Sequence, residues 1–118
     1  MSYVDGFVIP VPKARLDEYR KLARLGRKVW MEHGALAYHE TVADDAPVGK
    51  LTSFPRSVKL KDDEVVVFSY IVYRSRAHRD KVNKLAMNDK RFAKMDWKKM
   101  PFDGKRMIFG GFKTIVSA

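Results

Sequence analysis

The stretch that decides the fold reads EVVVFSYIVY and runs from Glu64 to Tyr73. It is rich in β-branched and aromatic residues, which favours a β-strand. Alternate residues of a strand point to opposite faces, and here both faces are apolar. One face carries Val65, Val67, Ser69, Ile71 and Tyr73, and the other carries Val66, Phe68, Tyr70 and Val72. We therefore expect this strand to be buried on both sides.

Three further strands are predicted around it. They cover residues 3–9, 35–42 and 105–116. The first is expected to end at Pro10, because a proline cannot donate to a ladder. Two consecutive glycines at positions 110 and 111 lie inside the last strand, which indicates a bulge or a close approach to the backbone.

The segments between these strands have apolar residues at helical spacing. A first helix is predicted over residues 13–33, and a second begins after a capping residue, Ser75, and continues to about Asp89. Residues 44–57 are predicted as a loop, and residues 90–99 as a helical turn or loop.

The resulting order is strand, helix, strand, strand, helix, strand. This is the βαββαβ pattern of a ferredoxin-like α+β fold, with a four-stranded antiparallel sheet, two helices on one face and the first strand in the centre. Residues 1–118 are expected to form a single domain. Two helices cover only one face of the sheet, so the apolar second face needs another partner. A second copy of the same sheet is the simplest one, which predicts a homodimer.

The composition limits the functions to be considered. The 118 residues are 46% apolar and contain no cysteine, which excludes disulfides and thiolate chemistry. No signal peptide is recognised, and the longest apolar stretch is far shorter than the roughly 20 residues that span a bilayer. We expect a cytoplasmic protein with no membrane partner. The formal net charge of +10 favours anionic partners, or is simply a solvated basic surface.

Four segments carry a resemblance to a known family. They are YVDGFVIPVP (residues 3–12), EHGA (32–35), VFSY (67–70) and MPFDGKRMIFGGF (100–112). With them the chain resembles the YbaA-like family of uncharacterised bacterial proteins, over nearly its whole length. The resemblance implies the dimeric α/β-barrel superfamily, in which two ferredoxin-like subunits pack sheet to sheet. Activities within that superfamily differ, so the fold alone implies none of them for this chain.

Chain direction brings a set of polar and aromatic residues to one end of the predicted sheet. The start of the first strand, the end of the first helix, the end of the third strand and the start of the second helix all lie there. The residues gathered in this way are Tyr3, Asp5, Trp30, His33, Tyr73, His78 and Arg79.

Five of these residues form the predicted site. Asp5 is read as a catalytic base or anion-pairing group; the alternative is a structural ion pair with Arg79 or another basic group. His33 is read as a catalytic proton carrier, although a helix C-terminus also favours an imidazolium. Arg79 would anchor a carboxylate or oxyanion of the ligand, and Tyr3 and Trp30 would form apolar walls.

The sequence predicts no metal and no cofactor. The three histidines have no ligand spacing, and neither a phosphate loop nor a dinucleotide glycine motif is present. The third strand lacks the glycines and basic start of an RNA-recognition motif, so no specific nucleic-acid partner is expected. The leading hypothesis is a small molecule, with an anion as one option, in a pocket between sheet and helices, with enzymatic activity left open. The alternative is a non-catalytic interaction or stress-associated protein with a basic surface.

Overall fold

The computed structural model describes residues 2–118. Its strands are β1 (Tyr3–Pro12), β2 (Ala37–Val42), β3 (Glu64–Tyr73) and β4 (Ile108–Lys113). Its helices are α1 (Leu16–Glu32), α2 (Phe54–Ser57), α3 (Arg76–Met87) and α4 (Lys90–Ala93). Single 3₁₀ turns at Lys13–Arg15 and Trp97–Lys99 precede α1 and follow α4.

The four strands form one sheet in the order β2-β3-β1-β4, and each neighbouring pair is antiparallel. The predicted four-stranded antiparallel sheet of an α+β fold is confirmed, and so is the central position of β1. The bounds of β3 agree with the sequence prediction. Ser75 caps α3 as predicted, because its side-chain oxygen accepts a hydrogen bond from the backbone N–H of His78.

The two long helices pack on the face of the sheet formed by the odd-numbered residues of β1 and β3. Tyr19 of α1 packs with Ile9, Val11 and Val67 in one buried cluster. Val82 of α3 packs with residues that include Ile71 and Tyr73 in a second cluster. This face, called the helix face below, contains the candidate site.

The first strand does not end at Pro10, as predicted, but continues to Pro12. β4 pairs with β1 only from Tyr3 to Val8, so both prolines lie where β1 has a neighbour on one side alone. A proline is tolerated where no neighbouring strand requires its missing N–H. The predicted helix over residues 13–33 likewise starts later, because its first three residues form the 3₁₀ turn.

The last strand is shorter than the predicted residues 105–116. Asp103 accepts a hydrogen bond from the backbone N–H of Lys105 at 2.9 Å, which bends the chain into a turn. Arg106 then donates two hydrogen bonds to the buried carboxylate of Glu64, at 2.7 and 2.6 Å. These contacts hold residues 105–107 outside the ladder, and β4 begins at Ile108.

The predicted loop over residues 44–57 contains the short helix α2. Ser53 caps it through a hydrogen bond to the backbone N–H of Arg56, and a proline occupies its first turn. Just after α2, Val58 is buried against Val8 and Val66 on the second face of the sheet. The segment around α2 therefore covers one end of that face, in addition to the two predicted helices on the other.

The rest of the second face is apolar on β1, β3 and β4, where its side chains range from half-buried to exposed, and polar on β2, where His39 and Thr41 lie. We call it the open face; its register positions are Val4, Phe68, Tyr70, Val72, Ile108 and Phe112. Phe68 is 40% exposed, Ile108 45% and Phe112 64%. Large exposed apolar surfaces often mark interaction sites.

Candidate functional site

Asp5 lies on the helix face of β1 and is almost completely buried. Arg79 Nη1 donates a hydrogen bond to Asp5 Oδ1 at 2.6 Å, and Asn83 Nδ2 lies 3.5 Å from Asp5 Oδ2. A buried carboxylate requires such a partner, because desolvation of an unpaired charge is costly. The ion pair offered above as the structural explanation of Asp5 is therefore present.

The groups around this ion pair are joined in one network. The Arg79 guanidinium lies 5.0 Å from the centroid of the Tyr3 ring, a cation–π arrangement. Asn83 Oδ1 accepts hydrogen bonds from Trp30 Nε1 at 3.0 Å and from the Tyr73 hydroxyl at 3.1 Å. Within residues 2–118, every fully buried side-chain polar atom has a partner. The cluster thus has no unsatisfied buried donor or acceptor aimed at a ligand.

Gly111 makes room for Tyr3 in this cluster. A Cβ atom at Gly111 would collide with the Tyr3 hydroxyl and ring, whereas one at Gly110 would meet only ordinary contacts with Phe112. The strand register through both glycines is regular. Of the two explanations given above for this glycine pair, the close approach applies.

His33 lies at the C-terminal end of α1, as predicted, but it contacts Asp89 rather than Asp5. Its Nε2 atom is 2.9 Å from Asp89 Oδ2. Arg91 also donates to Asp89, at 2.9 and 2.8 Å. Hydrogen bonds from Arg91, and then from His33, hold the pKa of Asp89 well below its usual range. Tyr3, Asp5, Trp30 and Arg79 are thus brought together, and His33 belongs to a separate ion-pair group. Their catalytic and binding roles stay predictions.

The helix face also has a partly open cavity of about 390 Å³. It lies between α1, the sheet and side chains from residues 87–109. Its apolar walls include Phe7, Ile9, Leu22, Ala23, Ile71 and Phe102. Of the five predicted site residues, Trp30 lines it, and the other four do not.

The polar groups of this cavity converge on Glu40 of β2. The Tyr19 hydroxyl donates to Glu40 Oε1 at 2.7 Å, and the Tyr38 hydroxyl donates to Oε2 at 2.7 Å. Ser69, the register partner of Glu40 on β3, also lines the cavity. Among residues 2–118, no lysine, arginine or histidine forms an ion pair with Glu40.

This setting changes the acid–base properties of the three groups. Burial raises the pKa of Glu40, and the hydrogen bonds from Tyr38, Tyr19 and Ser69 offset that rise only in part. Burial, followed by the charge of Glu40, also raises the pKa values of Tyr19 and Tyr38. Both phenols therefore keep their protons and remain hydrogen-bond donors.

Gly26 of α1 leaves room for the Tyr38 side chain. A Cβ atom at this position would lie 2.5 Å from the Tyr38 hydroxyl, which is too close for a real contact. The absence of a side chain at Gly26 lets the Tyr38 hydroxyl reach Glu40. Close packing of α1 against β2 therefore requires a glycine at this position.

The sequence prediction missed Glu40, Tyr19, Tyr38 and Ser69 as site residues. Two signals were available. Tyr38 and Glu40 are two residues apart on a predicted strand, so they share a face. Ser69 is the polar interruption in an otherwise apolar face of β3. The two signals point to one site only when the register of β2 against β3 is known, because that register pairs Glu40 with Ser69.

Two kinds of feature are absent from the described residues. Among the described residues, no group of three or more histidine, aspartate or glutamate side chains is arranged to hold a metal ion. No helix within residues 2–118 is both long and apolar enough to cross a membrane.

The fold and the cavity together define a small α+β protein with a cavity between helix α1 and the sheet. A family model described as "Protein of unknown function (DUF1428)" matches residues 2–104. The chain therefore belongs to the DUF1428 family.

Individual relatives agree with this assignment. The chain is 47% identical over 116 residues to the "Uncharacterized protein YbaA" of Escherichia coli (strain K12), with 98% of each chain covered. The same values hold for the YbaA protein of Shigella flexneri. The resemblance to the YbaA-like family is confirmed. Among solved structures, the de novo designed protein Foldit4 is similar, with a TM-score of 0.51, 11% identity and 97% and 99% of the two chains covered. At that identity the likeness concerns the fold alone.

Proposed function

We propose that the protein binds a small molecule in the cavity between α1 and the sheet, and that Glu40 exchanges a proton with it. The observation that carries the proposal is a cavity of about 390 Å³ whose polar groups converge on one carboxyl group. Ligand sites are typically about 300–1,000 Å³, mostly apolar, with a few placed polar groups.

The chemistry supports proton transfer at Glu40. A carboxyl group with a raised pKa is suited to act as a general acid or base near neutral pH. Tyr19 and Tyr38 fix both of its oxygens, so its orientation is set before a ligand enters. The same two hydroxyls would stabilise the negative charge on Glu40 after it has given its proton to the ligand.

We also propose that the open face is the interface of a homodimer. The exposed apolar side chains of Phe68, Ile108 and Phe112 support this. Read from its other edge, the strand order is β4-β1-β3-β2, which supports the ferredoxin-like assignment. The dimeric α/β barrel rests on the family resemblance and on the open face. A cytoplasmic location remains a prediction from the sequence.

Light scattering at micromolar concentration tests the dimer. We expect twice the mass of one chain for the native protein, and a shift toward one chain for Phe112→Asp. Lys113→Asp changes an adjacent exposed residue that faces away from the open face, and serves as the control. A native protein that is monomeric and well folded would contradict the dimer.

The cavity is tested with N-phenyl-1-naphthylamine, a neutral probe that fluoresces in apolar surroundings. We expect it to bind the native protein and the Ala77→Leu control, which carries its extra atoms on the exposed surface of α3. Ala23→Leu, which places the same atoms in the cavity, should weaken binding at least tenfold. Equal binding to both variants would refute the cavity as the site.

A thermal-shift screen with anionic and neutral metabolites then separates the two classes of function. Compounds that stabilise the native protein but not Ala23→Leu would support the small-molecule site. A screen without stabilising compounds would favour the non-catalytic interaction protein, whose basic surface rests on the net charge of +10.

A further inference from the structure

A second recess adjoins the cavity on the outer side of Glu40. It has a volume of about 270 Å³ and is lined by Arg20, Arg24 and Arg27 together with Ala23, Tyr38 and Glu40. The last three residues also line the larger cavity. The two spaces therefore meet at these three residues, with the apolar cavity on one side and three arginines on the other.

The arginines lie together because of their spacing along α1. Positions 20, 24 and 27 are four and three residues apart, which places them on neighbouring turns of one helix face. Arg20 pairs with Asp17 at 2.8 Å on the exposed surface. Within the described part of the chain, Arg24 and Arg27 form no ion pair or side-chain hydrogen bond with a carboxylate.

This arrangement is unfavourable for the helix itself. Like charges at these spacings repel each other, and no carboxylate of the described chain relieves Arg24 and Arg27. An anion bound in the recess would relieve that repulsion, and guanidinium groups hold carboxylate, sulfonate or phosphate oxygens in a bidentate manner.

We propose that the ligand of the cavity is an amphipathic anion, with its apolar body in the larger chamber and its anionic head on Arg24 and Arg27. This inference rests on the function proposed above and specifies the ligand class. Arg20, already paired with Asp17, adds to the positive field at the mouth of the recess.

Glu40 is compatible with an anion nearby. It faces Tyr19 from α1, Ser69 from β3 and Tyr38 from its own strand, and burial favours its neutral form. The three arginines of the recess would offset the repulsion between the ligand head and the Glu40 carboxyl group. The apolar lining of the larger chamber would reject a small hydrophilic anion that leaves that chamber empty.

The test compares two probes with the same anilinonaphthalene body. 1-Anilinonaphthalene-8-sulfonate carries an anionic head, and N-phenyl-1-naphthylamine does not. The test variant replaces Arg20, Arg24 and Arg27 by glutamine. The control variant replaces Arg74, Arg76 and Lys81 by glutamine, which makes the same change in net charge on exposed residues of the α3 region. Melting temperatures of both variants confirm that they are folded.

We expect the sulfonate probe to bind the test variant about tenfold more weakly than the native protein, and the neutral probe to bind both within about twofold. The control variant should leave both affinities within about twofold. Added salt should weaken the sulfonate probe only, because exposed charges are screened. Arg24→Gln alone, a milder change, should give a smaller loss in the same direction.

Three outcomes would overturn the inference. One is an equal loss of sulfonate binding in the test and control variants, which would indicate general attraction to a basic protein. Another is sulfonate binding that survives Ala23→Leu, which would place the probe outside the cavity. A third is unchanged sulfonate binding in the test variant while the neutral probe still binds in the cavity; the proposed function would then stand without its anionic ligand. If neither probe binds in the cavity, both proposals fail.

Discussion

The Asp5 cluster and the Glu40 cavity place two carboxyl groups on the same face of the same sheet, and they differ in what surrounds each one. Asp5 has a guanidinium partner, and the space around it is filled by Tyr3, Trp30 and Asn83. Glu40 has two hydroxyl donors, forms no ion pair within residues 2–118 and lines the cavity. A packed and ion-paired carboxylate is explained by stability alone. A partly buried carboxyl group that forms no ion pair costs stability, and its place in the cavity supports the proposed binding role.

Removing the charge of Asp5 should have the largest effect. Asp5→Asn removes the buried carboxylate partner of Arg79, which keeps only its ion pair with the exposed Asp80. We expect a loss of about 3 kcal/mol in the free energy of unfolding. Urea denaturation measures it. The exposed ion pair of Asp17 with Arg20 supplies the control, because Asp17→Asn should cost at most about 1 kcal/mol. Equal effects of the two substitutions would mean that Asp5 is not a structural partner.

Filling the space at Gly111 should have an intermediate effect. In Gly111→Ala the new methyl group displaces the Tyr3 ring from Arg79, and we expect a loss of about 1–3 kcal/mol. Gly110→Ala, on the neighbouring residue with ordinary contacts, should change stability by less than about 0.5 kcal/mol. The same denaturation experiment applies. If both glycines tolerate alanine equally, Tyr3 does not depend on the missing side chain.

Replacing Glu40 should have the smallest effect on stability, and it should raise stability rather than lower it. Its pKa is raised in the folded protein above the value of 4.5, so the native state binds more protons than the unfolded state between pH 4.5 and the folded pKa. Stability from this group therefore falls as the pH rises through that window and stays lower above it. Glu40→Gln lacks this loss, and we expect it to be more stable than the native protein at pH 7 by about 1 kcal/mol.

Melting curves from pH 4 to pH 8 check this prediction. The advantage of Glu40→Gln should grow with pH. Asp45→Asn changes an exposed carboxylate outside both regions and should show no such trend. A glutamine variant that is less stable at every pH would mean that Glu40 is retained for structure.

The comparison also shows how far the sequence alone could go. β3 could be predicted because its composition and its two apolar faces depend on consecutive residues. The Asp5–Arg79 pair could be offered as an alternative because a charge on a central strand needs a partner. The continuation of β1 through Pro12 could not be predicted, because it depends on where β4 stops pairing with β1.

The candidate site depended on information that no local pattern contains. Chain direction predicts which end of the sheet an element reaches, but it does not give the rotation of a helix about its axis. That rotation turns His33 toward Asp89. Glu40 meets Ser69 only through the register of two strands, and it meets Tyr19 only through the packing of α1 on the sheet. Pairings between distant segments therefore decided the site.

The most direct test of the cavity is a titration of methyl-labelled protein with N-phenyl-1-naphthylamine, followed by NMR. The methyl groups of Leu22, Ala23 and Ile71 line the chamber, whereas those of Val58 and Val66 are buried on the opposite face of the sheet. We predict shifts and intermolecular NOEs at the first group and unchanged signals at the second. Shifts confined to Val4, Val72 and Ile108 of the open face, or no shifts at all, would contradict a ligand site between α1 and the sheet.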